Sequence, residues 1–359
     1  MIHFHQLFLE RMFPMKKRTI SLLMCLVMIL GIAACGKPGS DVSGSGVSSS
    51  APGVSQSQPE VTPDETVNVM VLSGPTGVGA AQMMTADTLS SVAGPYNFTV
   101  VAGNDEVAPA IAKGEVDIAC IATNVAANLY NKNGGITVLA ANTLGVLYIL
   151  EKGSTVTDVA SLKGKTIYTT GQGANPEYIL DHLLTQNGID PDKDVDIQFM
   201  TPQEVTAKMV QSIDGICMLP VPAATTLQLK DTGVREALNV SAEWDKISES
   251  PLVMGCVVVR NAFMQEHPEL VEQFLIDYEK SIDFMKDEAN LSQAAEMVAL
   301  HGITANAAIA AKAIPQCNLT FMTGAEMRDA IQSYYEVLFT ADPASIGGGN
   351  PDDDFYFVP

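Results

Sequence analysis

Basic side chains are scarce in this chain. Its 359 residues carry 20 Lys and Arg against 41 Asp and Glu, a formal net charge of −21 at pH 7. A surface of that sign repels nucleic acid and anionic headgroups, which argues against a polyanionic partner. Tryptophan occurs once, at Trp244. Beyond residue 34 the only histidines are His182, His267 and His301, each on a helix-like segment rather than in a loop at a strand end. There is no HExxH, no Gly-x-Ser-x-Gly, and no acid pair in the loops that follow the strands. The chain therefore offers no catalytic residues, and no enzyme is expected. Six cysteines without a CxxC pair leave no zinc or thioredoxin-like motif, so neither a metal nor a cofactor is expected. Long apolar runs are missing too. Residues 20–32 are about 13 in number, and a membrane span needs roughly 20.

That short run has a different use. It follows Lys16-Lys17-Arg18 and ends in Ile32-Ala33-Ala34-Cys35. A basic segment, an apolar segment and small residues before a cut make an export signal. A cysteine directly after the small residues resembles the lipobox of bacterial lipoproteins. The resemblance implies a signal peptide over 1–34 (its true start at Met15), lipidation of Cys35, and a place at the extracytoplasmic face of the bacterial cell membrane. Removing residues 1–34 leaves 16 basic and 40 acidic residues, a net charge of −24. Residues 36–66 are rich in Ser, Gly, Pro and Val and contain no aromatic residue, so they cannot bury a core. Cys35 and this tether form a linker over 35–66 that would reach on the order of 30 Å. Cys120, Cys217 and Cys256 sit in apolar, strand-like runs, and with Cys317 they read as buried free thiols, with two disulfides as the alternative.

From residue 67 onward strand-like and helix-like patterns alternate, which argues α/β with parallel strands. Strands are expected at 67–72, 97–102, 116–121, 136–142 and 146–151, with helices over 78–92, 106–113 and 124–130. The order then restarts with strands at 165–169, 195–200 and 215–219 and helices over 177–186, 202–211 and 223–230. Two tandem units suggest two lobes. After a strand at 252–259 everything reads as helical: 268–286, with Leu270, Phe274, Leu275, Tyr278 and Ile282 on one face, then 291–300, 305–313 and 324–340. The economical topology crosses between lobes near Leu147 and Val253. Residues 67–147 with 254–342 then make the first lobe, and 148–253 the second. In the tail 343–359, Asp352-Asp353-Asp354 followed by Phe355-Tyr356-Phe357 offers docking or metal binding as an alternative, but a solvated terminus is the expectation.

Several passages carry a resemblance. They are Val71-Leu72-Ser73-Gly74-Pro75-Thr76-Gly77, Ile111-Ala112-Lys113-Gly114-Glu115-Val116-Asp117-Ile118-Ala119, Ser161-Leu162-Lys163-Gly164-Lys165-Thr166-Ile167, Asp214-Gly215-Ile216-Cys217-Met218-Leu219-Pro220, and the stretch from Arg260 through Phe263 to His267-Pro268. In order and spacing they resemble the extracytoplasmic solute-binding proteins of ABC importers. The closer match is the subgroup that binds nitrate, sulfonates, taurine and thiamine precursors. The resemblance implies a type II periplasmic-binding-protein fold of two α/β lobes, with the C-terminal helices packed on the first lobe. It also implies that a small-molecule solute is passed to an ABC permease and its ATPase by a monomeric, lipid-anchored binder. The alternatives are a sensor lipoprotein that shows its solute to a receptor and, more remotely, an extracytoplasmic enzyme.

In open parallel sheets ligands bind beyond the carboxyl ends of strands. Four such ends offer candidate ligand residues: Ser73, Gly74, Pro75, Thr76 and Gly77; Thr123 and Asn124; Gly171, Gln172, Gly173 and Asn175; and Pro220, followed by Val221-Pro222. Loops rich in donors at helix starts suit a group with acceptor oxygens. None of these loops carries a charged side chain, which points to a neutral or singly charged organic solute. Gly171-x-Gly173 lacks the third glycine of a dinucleotide fingerprint. Trp244 is a candidate for stacking on a planar ligand or for the core, with Tyr148 and Tyr178 behind it.

Overall fold

The computed structural model of the protein describes residues 66–89 and 95–359. The expected signal peptide, Cys35 and the expected linker up to residue 65 lie outside the described residues. The chain begins β1 (Val67–Leu72), α1 (Pro75–Val78), α2 (Ala81–Leu89), β2 (Tyr96–Val101), α3 (Asn104–Lys113), β3 (Ile118–Ala122), α4 (Thr123–Asn133) and β4 (Ile136–Thr143). It continues through β5 (Leu147–Lys152), β6 (Thr166–Thr169), α5 (Asn175–Gln186), β7 (Asp196–Phe199), α6 (Pro202–Gln211), β8 (Gly215–Pro220), α7 (Ala223–Lys230), β9 (Val234–Asn239) and α8 (Val240–Trp244). It closes with β10 (Gly255–Arg260), α9 (Asn261–Glu266), α10 (Pro268–Lys286), α11 (Leu291–Leu300), α12 (Ala307–Ala313), β11 (Leu319–Met322) and α13 (Gly324–Ala341).

The strands form two sheets, ordered β11-β4-β10-β3-β1-β2 and β7-β6-β8-β5-β9. Each is the core of one lobe, and the chain passes between them at 144–146 and again at 245–254. Wholly apolar runs become central strands: every residue of β4 is buried, and so is every residue of β3 up to Ile121. Helix α3 stops where the sequence offers Gly114, which takes φ +73 and returns its N–H to the carbonyls of Ala110 and Ile111.

The strands are not all parallel. β1 pairs in parallel with β2 and β3, as β6 does with β7 and β8. β10, however, lies antiparallel between β3 and β4, and β5 lies antiparallel between β8 and β9. These two strands follow the crossings. A strand that enters a sheet directly, without a helical crossover on the same sheet, is free to run the other way. Two strands were not expected at all. β9 borders the second sheet, and β11 adds an edge to the first, so the C-terminal region is not purely helical.

Helices α10 and α11 pack on α2. Helix α13 lies against β4 and also reaches α5 of the second lobe. The tail differs from the solvated terminus the sequence suggested. Phe355, Tyr356 and Phe357 are buried, Tyr356 forms an isolated parallel bridge with Val138, and the Phe357 N–H donates to the Val138 carbonyl at 2.9 Å. Three aromatic rings outweigh the three aspartates before them, and burying apolar area of that size anchors the segment. Cys120, Cys217, Cys256 and Cys317 are free and buried. Burial pushes the Cys120, Cys217 and Cys317 thiols up to about 12, which keeps them protonated and inert.

Candidate functional site

A cavity of about 890 Å³ opens between the lobes at the carboxyl ends of the strands. From the first lobe the wall is made by Ser73, Gly74, Pro75 and Thr76 after β1 and by Asn124 at the start of α4. From the second it is made by Asn175 at the start of α5 and by Pro220, Val221 and Pro222 after β8. All four expected strand ends therefore meet at one place.

Local chemistry sets each piece. Ser73 is pinned by its N–H to the Val101 carbonyl (2.7 Å) and its hydroxyl to the Ile303 carbonyl (3.3 Å). Beneath the loop the buried Tyr278 hydroxyl accepts from Asn142 Nδ2 (2.9 Å) and donates to the Thr76 carbonyl (3.5 Å). Gly255 lets β10 run close under the site, since a Cβ there would stand 2.7 Å from both Asn142 Oδ1 and Thr76 Cγ2 and 2.9 Å from Thr143 Cβ. Thr143, at the end of β4, also lines the cavity.

Three lining residues hold buried oxygens with no hydrogen-bond partner: Thr76 Oγ1, Thr143 Oγ1 and Asn175 Oδ1. Their residues are only 7%, 2% and 5% exposed. Unmet polar groups at such depth are costly and are normally satisfied. Two helix starts add donors. α4 and α7, on opposite lobes, have neither a side-chain cap nor an acid in the first turn, so their positive dipole ends stay uncompensated, although the first N–H of α4, at Thr123, already donates to the Met254 carbonyl at 3.2 Å. The first turns of both helices line the cavity.

Several expected residues stand elsewhere. Gly77 is buried away from the cavity; its missing Cβ would lie 2.2 Å from the Leu72 carbonyl, so this glycine serves close packing of α1 on β1. Thr123 is fully buried, with its hydroxyl donating to the Val253 carbonyl at 2.6 Å, and ties the returning crossing segment to the first lobe. Gly171, Gln172 and Gly173 turn outward, and the Gly173 N–H is taken by Glu177. Gln172 and Gly173 border a second groove, of about 860 Å³, between α5 and α13. Trp244 is core: it is 1% exposed, its indole N–H donates to the Ser250 carbonyl at 2.9 Å, and its ring lies against His182 and Tyr334. Tyr148 and Tyr178 also lie off the cavity and bond across the lobes, to the Gln316 carbonyl and to Asp342.

Two charged side chains missed in the sequence do line the cavity. Asp105 is in the first turn of α3 and Lys230 is the last residue of α7; both are exposed. Neither has an ion-pair partner among the described residues. The strand-end rule, applied also to β2 and β7, would have found the outer wall: Ala102, Asn104 and Asp105 follow β2, and Pro202, Gln203 and Thr206 follow β7. No aromatic ring lines the cavity among the described residues.

A family model described as "ABC transporter, phosphonate, periplasmic substrate-binding protein" matches residues 83–307. Among solved structures, an ABC transporter protein from Parabacteroides distasonis is 22% identical, with 82% of this chain and 99% of that one covered at a TM-score of 0.68. The periplasmic aliphatic sulphonate-binding protein of Escherichia coli is 14% identical over 78% of this chain and 88% of its own, at 0.64. The alkanesulfonate-binding protein of Xanthomonas axonopodis pv. citri, bound to MOPS, is 15% identical over 82% and 98%, at 0.58. These likenesses establish the two-lobed fold. No curated protein matches.

Proposed function

The chain belongs to the family of periplasmic substrate-binding proteins of ABC transporters, and from that premise we propose that it captures a small aliphatic solute, neutral or singly charged and carrying an acceptor-rich head, between its lobes. The observation that carries this is the meeting of the N-termini of α4 and α7, one from each lobe and neither capped by a side chain, beside the unpaired hydroxyls of Thr76 and Thr143. Such donors suit an oxyanion or carbonyl head. Pro75, Pro176, Pro220, Val146 and Met254 give apolar contact for an aliphatic body. A heteroaromatic solute would find no ring to stack on. The residues we assign to binding are Ser73, Gly74, Pro75, Thr76, Asn124, Thr143, Asn175 and Pro220.

Delivery to a permease belongs to the same proposal. Solute binds one lobe, the other closes over it, and the closed form is the one the membrane partner reads. Lipid on Cys35 would keep the binder beside that partner. The test is a thermal-shift screen of the purified protein with methylphosphonate, ethanesulfonate, nitrate and hydroxymethylpyrimidine. Binding to the native state raises the melting temperature by mass action. An aliphatic monoanion should raise it and the pyrimidine should not; a shift with the pyrimidine alone would overturn the proposed solute class.

A further inference from the structure

One residue of the first lobe holds the second in three ways. Gln316 ends the 3₁₀ turn Ile314–Gln316 between α12 and β11. Its backbone carbonyl accepts from the Tyr148 hydroxyl of β5 at 3.0 Å. Its Oε1 accepts from Thr225 Oγ1 of α7 at 2.9 Å, and its Nε2 donates to Glu236 Oε2 of β9 at 3.3 Å. Two residues later Asn318 takes φ +42, the only positive φ of a non-glycine residue among the described residues. That conformation is uncommon for a side-chain-bearing residue and survives where its surroundings over-determine it. Here they do: the Asn318 carbonyl accepts from Leu144 N–H at 3.0 Å, and its Nδ2 donates to the Gly145 carbonyl. Residues 316–318 thus grip both the sheet of the second lobe and the crossing segment 144–146.

The grip reaches the site. Thr225 lies between Ala223 and Thr226, both of which line the cavity, on the helix whose free N-terminus faces it. Tyr148 is 3% exposed, so its bond is shielded from water. Shielded hydrogen bonds resist opening more than exposed ones, because an unpaired buried group has no water to turn to.

We propose that Gln316 is a positioning residue for solute capture: it clasps α7 and β9 of the second lobe to the first and so sets the width of the cleft. The clasp acts through α7 and does not touch the solute. The proposal rests on the cleft being the binding site, but its test needs no solute.

Spin labels at Ala112→Cys on α3 and Ala207→Cys on α6 report the distance across the cleft, both positions being exposed and off the cavity wall. Cys25 and Cys35 are replaced by serine, and the four buried thiols take no label. Pulsed dipolar spectroscopy is then run on the full, solute-free chain. Gln316→Met keeps the volume and the backbone bond to Tyr148 but removes both side-chain bonds. It should shift the distance outward by a few Å and broaden it. Thr225→Val removes one bond from the opposite side. It should shift the same way by less, and the double variant should go no further than Gln316→Met, as partners in one interaction do. Folded variants whose distributions overlay the parent would overturn the proposal. Should Gln316→Met fail to fold, Thr225→Val decides alone. A shifted distance with no probe bound leaves the clasp standing and sinks the solute assignment.

Discussion

Thr143 shows the tension a binding site sets up within a single residue. Its hydroxyl is buried at the end of β4 with no partner. In a purely structural position valine would do better, because it fills the same volume without an unmet polar group. Thr143→Val should therefore leave stability unchanged or raise it by up to about 1 kcal/mol, while weakening solute binding severalfold. Melting curves and calorimetric titration check both halves; unaltered affinity would remove Thr143 from the site. Asp181, in the groove between α5 and α13, makes a different prediction. Burial, then the charges of Glu177 and Asp192, push its carboxyl up to about 6. Glu336 of α13 and Asp342 just after it line the same groove, and His182 sits beside it with its own pKa lowered by burial. An acid with a raised pKa contributes stability that is full below 3.8 and lost as the pH rises through about 6. Asp181→Asn should flatten that slope and stabilise the protein at pH 7 by about 1 kcal/mol, once solvent screening in a half-open groove is allowed for. Denaturant melts between pH 4 and 7 would show it.

At the scale of elements, two glycines of the loop after β1 part company. A Cβ at Gly77 would sit 2.2 Å from backbone, whereas one at Gly74 would meet nothing within 4 Å. Gly77→Ala should cost about 2 kcal/mol, visible as a fall of several degrees in melting temperature. Gly74→Ala should leave the melting temperature alone and intrude on the cavity, lowering affinity. No sequence pattern separates these glycines, because the difference lies in what tertiary packing brings beside them. Helices with a clear apolar face, such as α10 with Leu270, Phe274 and Tyr278, were legible to the residue, as was β1. The short edge strand β11, four residues long with one buried, has too little periodicity to be seen. β9 is masked by Arg235 and Glu236. Strand direction was hidden for another reason: β5 and β10 read like any apolar strand, and only the crossings reverse them. The inner half of the site was legible because strand ends and glycine turns mark it. Asp105 needed only the same rule extended to the end of β2, whereas Lys230 was hidden, since it reaches the cavity from the far end of α7.

For the whole molecule, the distribution of charge and the proposed anchor make one prediction. A chain with a net charge of −21 has no electrostatic attraction to an anionic membrane surface, and among the described residues no helix is long and apolar enough to cross a membrane. Retention at the membrane would then depend on Cys35. Cys35→Ser should move the protein from the membrane fraction to the soluble one, and the mass of the N-terminal peptide of the parent should show the lipid. Parent protein that fractionates as soluble would remove the anchor.

The bridge between Tyr356 and Val138 has a consequence in time. It joins positions more than two hundred residues apart and stitches the tail beside β4. The first sheet also waits for β10 and β11, made long after β1 to β4. A growing chain can complete the second sheet, whose strands are contiguous in sequence, while the first is still half built. Non-local pairing of this kind is slow to form. The lobe whose first strand is made earliest is thus the last to become native, and its final seam closes only when the tail aromatics arrive.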